Sequence, residues 1–424
     1  MRTARRETIS RMKILRYLIL AACSVAASAM AQNAYVKTVL VANDPKYQPQ
    51  LIDKKMVDAW GIAIRPPGAG GHFWISNAAT GTSVEYIGDV NGTPLHQDGL
   101  KTVTLQTPKW TDRGIAYVTG QAYNSASDLP GQPIEFPISG PAMDLTTKPA
   151  TQIPKGYSGP AKFVFFTEDG ALNAWSANTK VAMDQAPLVI DYSKTSSHRP
   201  YSVNSVYTGG TLTNNAANSD AYKKAGGNHI FAADFRNNVI EVFDNQWRNV
   251  TSSYHFQVPI SVGDFHVYNV WDLGGHLFVA YAKFDVNGDE GQEEVDGPGL
   301  GHVVEYNEDG TLVMDFKDHG KLNSPWGMVI APASFGAFAN ELLVANFGDN
   351  NIVAFDLKTG EYVDCLRDSD GKPLPVEGVW ALTFGNGVSL GDAKALYYSA
   401  GPNKEFDGVF GRINVASSTD QQQK

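Results

Sequence analysis

The chain has 424 residues, 43% of them hydrophobic, with 34 Lys+Arg against 44 Asp+Glu. That acidic balance argues against nucleic acid and anionic membrane surfaces as partners. Val, Ile, Phe, Tyr and Trp are abundant enough, over this length, to build a sizeable core.

The N-terminus reads as a targeting segment. Arg2, Arg5, Arg6, Arg11, Lys13 and Arg16 precede the apolar run Tyr17–Ala27, and Ala29-Met30-Ala31 offers a small-x-small cleavage site before Gln32. The run is too short to persist as a membrane span. Met12 is an alternative start, and Leu20–Cys23 (LAAC) is a competing lipoprotein box that would leave a lipidated Cys23. Either way a periplasmic or secreted protein is expected. Removing residues 1–31 takes away six basic residues and Glu7, leaving 28 basic against 43 acidic side chains, a net charge of −15. Only Cys365 then remains, so no intramolecular disulfide can form.

Beyond the leader the chain repeats. A first-strand signature recurs as AWGIAI, RGIAYV, YSVNSV, YNVWDL, PWGMVI and VWALTF, with anchors at Gly61, Gly114, Val203, Val270, Gly327 and Ala381. Each is followed by an apolar or alternating run: HFWIS, KFVFF, HIFAA, HLFVA, ELLVA and ALYYS. A turn with a fixed ruler comes next: Asn77 to Tyr86, Asp234 to Phe243, Asn346 to Phe355 and Gly401 to Phe410 are each nine residues apart. TEDGALNAW, from Thr167, is one residue short, and the copy beginning at Tyr281 carries a long insertion. Units of about four short strands that cannot bury their faces alone indicate propeller blades. Six copies predict an all-β, six-bladed β-propeller over residues 33–416.

Lys37–Ala42 (KTVLVA) matches Lys101–Gln106 (KTVTLQ), the expected outer strand of the first blade. The last blade shows three strands, ending in GVFGRINV, and lacks a fourth. The N-terminal strand is therefore expected to supply the outer strand of the last blade and close the ring. Tyr123–Pro160 and Ser193–Tyr222 read as polar loop insertions, and Ser417–Lys424 as a disordered tail.

LNSPWGMVIAP, LLVANFGDNNIVAFD, TEDGALNAW, AADFRNNVIEVFD, GPGLGHV and SAGPNKEFDGVFG together resemble an uncharacterised family of exported bacterial proteins. That family is related to NHL-type six-bladed propellers and is associated with organisms that carry the PEP-CTERM/exosortase sorting system. The resemblance implies the fold but brings no activity or catalytic residues. No Pro-Glu-Pro, apolar span or basic end follows Val415, so envelope anchoring is not implied.

In a propeller the second turn of each blade and the start of its first strand open at one mouth of the central channel. Asp58, Trp60, Asn77, Asp112, Arg113, Glu168, Asp169, Asn204, Asp234, Asn269, Lys283, Asn323, Trp326, Asn346 and Trp380 are expected there. By analogy with six-bladed lactonases and regucalcin-like enzymes, Glu168, Asp234, Asn346 and Asn77 could hold a divalent ion, since hard oxygen ligands suit Ca²⁺. The competing reading is that Asn and Asp simply suit tight turns. Trp60, Trp326, Trp380, Arg113 and Lys283 are candidate ligand contacts, with blade packing the alternative for the indoles.

A second candidate calcium site is Asp285–Asp296, where Asp285, Asn287, Asp289, Glu293 and Asp296 imitate loop positions 1, 3, 5, 9 and 12. Glu290 replaces the usual Gly, position 12 is Asp, and no helix flanks the loop. An acidic hairpin tip is the plain alternative. No HxH, HExxH, GxSxG or P-loop pattern occurs, and Cys365 reads as a small core residue. Three readings remain: a monomeric periplasmic or secreted module binding a small molecule, a glycan or an envelope protein, stabilised by calcium; a metal-dependent lactone or ester hydrolase; or an extracellular scaffold with no ligand. No organic cofactor is expected.

Overall fold

The computed structural model describes residues 33–65, 70–111, 113–128, 134–139, 158–177, 184–194, 204–213, 227–287 and 293–417. The expected leader, residues 418–424 and Asp289 lie outside them. Six antiparallel sheets surround one axis. Blade 1 runs through Ala59–Ala63, Phe73–Asn77, Thr82–Tyr86 and Thr102–Leu105, and blade 2 through Val118–Tyr123, Phe163–Thr167, Ala171–Trp175 and Leu188–Asp191. Among the described residues blade 3 shows three strands, Tyr207–Leu212, His229–Asp234 and Val239–Asp244. Blade 4 comprises His266–Asp272, His276–Ala282, Gly301–Asn307 and Leu312–Asp315; blade 5 comprises Pro325–Ile330, Leu342–Asn346, Asn351–Phe355 and Tyr362–Cys365. Blade 6 takes Val379–Phe384, Leu396–Ala400 and Val409–Val415 from the C-terminus and its outer strand, Tyr35–Ala42, from the N-terminus. No helix among the described residues is long and apolar enough to cross a membrane.

The second strands are packed on both faces by neighbouring blades, which is why Phe73–Asn77, Phe163–Thr167 and Leu342–Asn346 are buried throughout. Inner strands obey a different rule. They crowd together at the axis, so the central position must be small: a methyl added at Gly61 would lie 2.6 Å from the Thr119 carbonyl oxygen, and one at Gly120 would lie 3.2 Å from Gly209 Cα. Side chains of first and second strands tie a blade to a neighbouring inner strand. Ser76 Oγ donates to Thr119 O (2.5 Å), Thr119 Oγ1 to Tyr207 O (2.8 Å), Thr208 Oγ1 to Tyr268 O (2.7 Å) and Asn269 Nδ2 to Trp326 O (3.0 Å). Ser399 Oγ donates to Trp60 O across the closure. These bonds satisfy carbonyls that no ladder reaches.

The axis also corrects two registers. The expected Arg113–Val118 reaches the inner strand of blade 2 only at Val118, and the expected Tyr201–Val206, whose first three residues lie outside the described ones, ends before that of blade 3 begins. The inner strands are Val118–Tyr123 (VTGQAY) and Tyr207–Leu212 (YTGGTL). Their Gly, Thr and Gln fit the crowded axis, whereas the apolar signature matched residues upstream of it. The anchor in blade 2 is accordingly Gly120 in place of Gly114. In blade 6 the nine-residue match from Gly401 to Phe410 is coincidental: Ala400 pairs with Val409 and Leu396 with Ile413, so the turn spans residues 401–408.

Closure follows the expected scheme. Tyr35 pairs with Val415 and Ala42 with Val409, with one shift between Val39 and Val41. Leu51–Ile52 then pairs with Val41–Ala42 and covers part of the free edge. Tyr35 anchors the strand to blade 5: it is 1% exposed, its ring lies 4.9 Å from Phe335 and 5.9 Å from Phe338, and its hydroxyl donates to Phe335 O at 3.1 Å. Tyr35→Ala is expected to cost about 3–5 kcal/mol, as large aromatic truncations do, read as a fall in the urea midpoint. An unchanged midpoint would show that closure does not limit stability.

Candidate functional site: an acidic mouth above an aromatic plug

Trp60, Trp326 and Trp380 each stand second in an inner strand, and the strands bring them to the axis. Trp60 and Trp380 stack at 4.1 Å, Trp326 lies 6.2 and 5.9 Å from them, and Phe347 stacks on the other face of Trp380 at 4.0 Å. At 3%, 1% and 1% exposed they offer no face to a ligand. The expected ligand-stacking role is thus replaced by packing: the indoles bury each other and plug the channel.

The four expected channel ligands do not converge. Asp234 Oδ1 accepts from Val206 N (3.1 Å) and its Oδ2 from Asn237 Nδ2 (2.7 Å). Asn346 accepts from Asn323 N (3.3 Å) and donates to Lys321 O (2.8 Å), and Asn77 donates to Ile75 O (2.8 Å). Each side chain fastens a turn within its own blade. Glu168 stands one residue past the equivalent position and takes a different direction. Among the described residues no group of three or more His, Cys, Asp or Glu is placed to hold a metal ion.

The described ends of the Asp285–Asp296 stretch run antiparallel: Asp285 N donates to Glu293 O (3.0 Å) and Val295 N to Lys283 O (2.8 Å). Asp285 accepts from Asn287 N (2.8 Å), and Asp296 turns to the neighbouring blade to accept from Ser324 Oγ (2.7 Å). Glu293 is exposed, and Lys283 pairs with Asp264.

What does gather at the mouth is a set of carboxylates from four blades. Asp58 precedes blade 1, Glu168 lies in the turn of blade 2, Glu294 in the hairpin of blade 4 and Glu405 in the turn of blade 6. Asp58 is fully buried and adopts a left-handed backbone (φ 52°), as do Asn403, Lys404 and Glu405 in succession (φ 58°, 54° and 65°). Tyr117 Oη donates to Asp58 Oδ2 at 3.2 Å, while Asp58 Oδ1 has no hydrogen-bond partner. The indole of Trp380 lies beside it, near enough to favour the charge but not aligned as a donor. Arg113 Nη1 donates to Glu168 Oε2 at 2.8 Å with its guanidinium 4.2 Å from the Tyr117 ring centre, and Tyr268 hydrogen-bonds Glu294.

Burial dominates the electrostatics. It pushes Asp58 well above the carboxylate range, with the Glu168 charge adding and Tyr117 opposing. Glu405 rises for the same reason, helped by Asp58 and Glu294. Glu294 is pushed up to about 7 by burial against the Tyr268 bond, and burial also raises Glu168, where Arg113 opposes it. Residue surfaces of Glu294 and Glu405 stay half-exposed, yet their carboxyl ends are enclosed.

Asp58, Arg113 and Glu168 were among the expected mouth residues. Glu294, Glu405, Tyr117 and Tyr268 were not. The signal for Glu405 was available, since the correct blade-6 register puts residues 401–408 into the mouth.

No protein-family model matches the chain. An uncharacterized protein of Acanthamoeba polyphaga mimivirus is 26% identical over 367 residues, 85% of this chain and 76% of its own length. A second from the same virus is 33% identical over 193 residues, 44% of this chain and 49% of its own. These relatives are viral, so the tie to exosortase-bearing bacteria gains no support from them. Among solved structures, a selenomethionine-substituted virginiamycin B lyase from Staphylococcus aureus overlays with a TM-score of 0.42 at 10% identity, over 90% of this chain and 99% of that one.

A carboxyl raised in the folded state keeps a proton that the unfolded chain has already released. Its contribution is harmless below about pH 4, and stability is lost as pH climbs toward the folded pKa, by at most about 1.4 kcal/mol per pH unit. The melting temperature is therefore expected to fall between pH 5 and pH 9, and Asp58→Asn to flatten that fall and be the more stable form at pH 9. Parallel wild-type and variant profiles would show that Asp58 is not held protonated.

Proposed function

We propose that the protein is an exported binding module that takes a positively charged nitrogen at the acidic end of its channel. One observation carries this: Asp58, Glu168, Glu294 and Glu405 lie close enough to oppose one another's charge, while the guanidinium of Arg113 offsets it at Asp58 and Glu168, so the site is short of positive charge whenever its acids ionise. No three of them approach closely enough for one bare metal ion, which suits a broader organic cation. Phe406, 75% exposed beside Glu405, and Val286, 81% exposed on the blade-4 hairpin, supply an apolar rim for the body that carries the charge. A small amine and a Lys or Arg side chain of an envelope protein share this chemistry. The hydrolase alternative would require the oxygens of Asp234 and Asn346 to leave their present donors, although Asn77 Oδ1 has none, and the glycan alternative loses its stacking faces to the plug.

Titration calorimetry with benzamidine, a fixed cation on one ring, is expected to show 1:1 binding at pH 9, weakened at least tenfold at pH 5 as the acids take protons. Glu405→Gln should weaken it about tenfold, about 1.4 kcal/mol, and benzyl alcohol should give no heat. No binding of benzamidine at pH 9 would end this reading.

Calcium stabilisation is proposed for the hairpin separately. Ca²⁺ at 100 times its dissociation constant would add about 2.7 kcal/mol to unfolding, and the pair Asp285→Asn with Asp289→Asn should reduce that shift. A melting curve that calcium leaves unmoved removes the ion from the hairpin.

A further inference from the structure

The inner strands run from the acidic mouth to a second opening, roughly 15–20 Å away by strand rise. The plug separates the two ends. At the far end a cavity of about 320 Å³ is bounded by strand ends from five blades, among them Ile62, Ile64, Tyr123, Leu212, Trp271 and Thr383. That size and a mostly apolar wall are typical of small-molecule sites. Trp271 is half-buried: its ring meets Trp326 edge-on, at 6.0 Å and 90°, while it also lines the cavity.

Of the polar groups of the wall, Gln121 and Thr211 are committed elsewhere, while the buried Trp271 Nε1 has no hydrogen-bond partner. Gln121 donates to Gly61 O (3.0 Å) and Trp74 O (2.6 Å) and accepts from Ser83 (2.9 Å), and Thr211 Oγ1 accepts from Asp272 N (3.2 Å). Charge at the rim balances. Arg65 and Lys162 both pair with Asp128 at 2.5 Å, beside Tyr123, and Asp272 supplies a second carboxylate. An ionised ligand of either sign would gain little there. Filled at the density of a protein interior, the cavity holds about 240 Å³ of van der Waals volume, which corresponds to two or three aromatic rings.

We propose that this far end of the channel is a second binding pocket, for an uncharged planar molecule of two or three rings seated against Trp271. N-phenyl-1-naphthylamine, a neutral fluorophore of this size, is the probe. Its emission is expected to rise with saturable, one-to-one binding. Thr383→Trp, which fills the rim, should weaken binding at least tenfold. Trp271→Leu should weaken it severalfold and decides the matter if Thr383→Trp fails to fold. Benzamidine should not displace the probe, because the plug separates the two sites. Binding that does not saturate, binding unchanged in a folded variant of either position, or displacement by benzamidine would each overturn the proposal, whatever becomes of the acidic mouth.

Discussion

Three indoles packed on one another at the axis set the terms for everything around them. Six inner strands converging on a line leave a bore, and an empty bore would forfeit contacts on every wall. Trp60, Trp326 and Trp380 fill it, with Phe347 above and Trp271 below. The same packing removes water from beneath the mouth, and this is the physical origin of the raised acids. A carboxylate over an aromatic floor has few solvent dipoles to stabilise its charge.

Two consequences run in opposite directions. Above the plug, desolvation makes charge costly and so makes an incoming cation valuable. Below it, where Ile62, Leu212 and Trp271 line the wall and the charges at the rim offset one another, the space favours an apolar occupant. One fold thus presents two chemically unlike openings because its strands are directional: turns rich in Asp, Asn and Glu cluster at one end only.

Much of the fold was legible in the sequence. Second strands announce themselves by apolar runs, and the KTVLVA/KTVTLQ likeness located the closing strand. Inner strands were harder, since crowding at the axis selects Gly and Thr in place of the apolar letters that mark a buried strand elsewhere. VTGQAY and YTGGTL therefore hid beside more apolar neighbours. The mouth was half legible. Asp58, Arg113, Glu168, Asn77, Asp234 and Asn346 all followed from blade topology; what an analogy with metal-binding propellers added was the ligand role given to Glu168 and to Asn77, Asp234 and Asn346. Their side chains fasten turns, as Asn and Asp at strand ends commonly do. Glu294 and Glu405 sit in turns whose length departs from the repeat, where a fixed ruler fails.

Closure by Tyr35–Ala42 has a kinetic side. Tyr35 and Val415 are 380 positions apart, so the ladder that completes blade 6 has one of the longest loops this chain can form, and no local contact can stand in for it. The strand made first is paired last. Until the final hairpin is available, blade 6 lacks its outer strand and the free edges of both ends stay open to other chains.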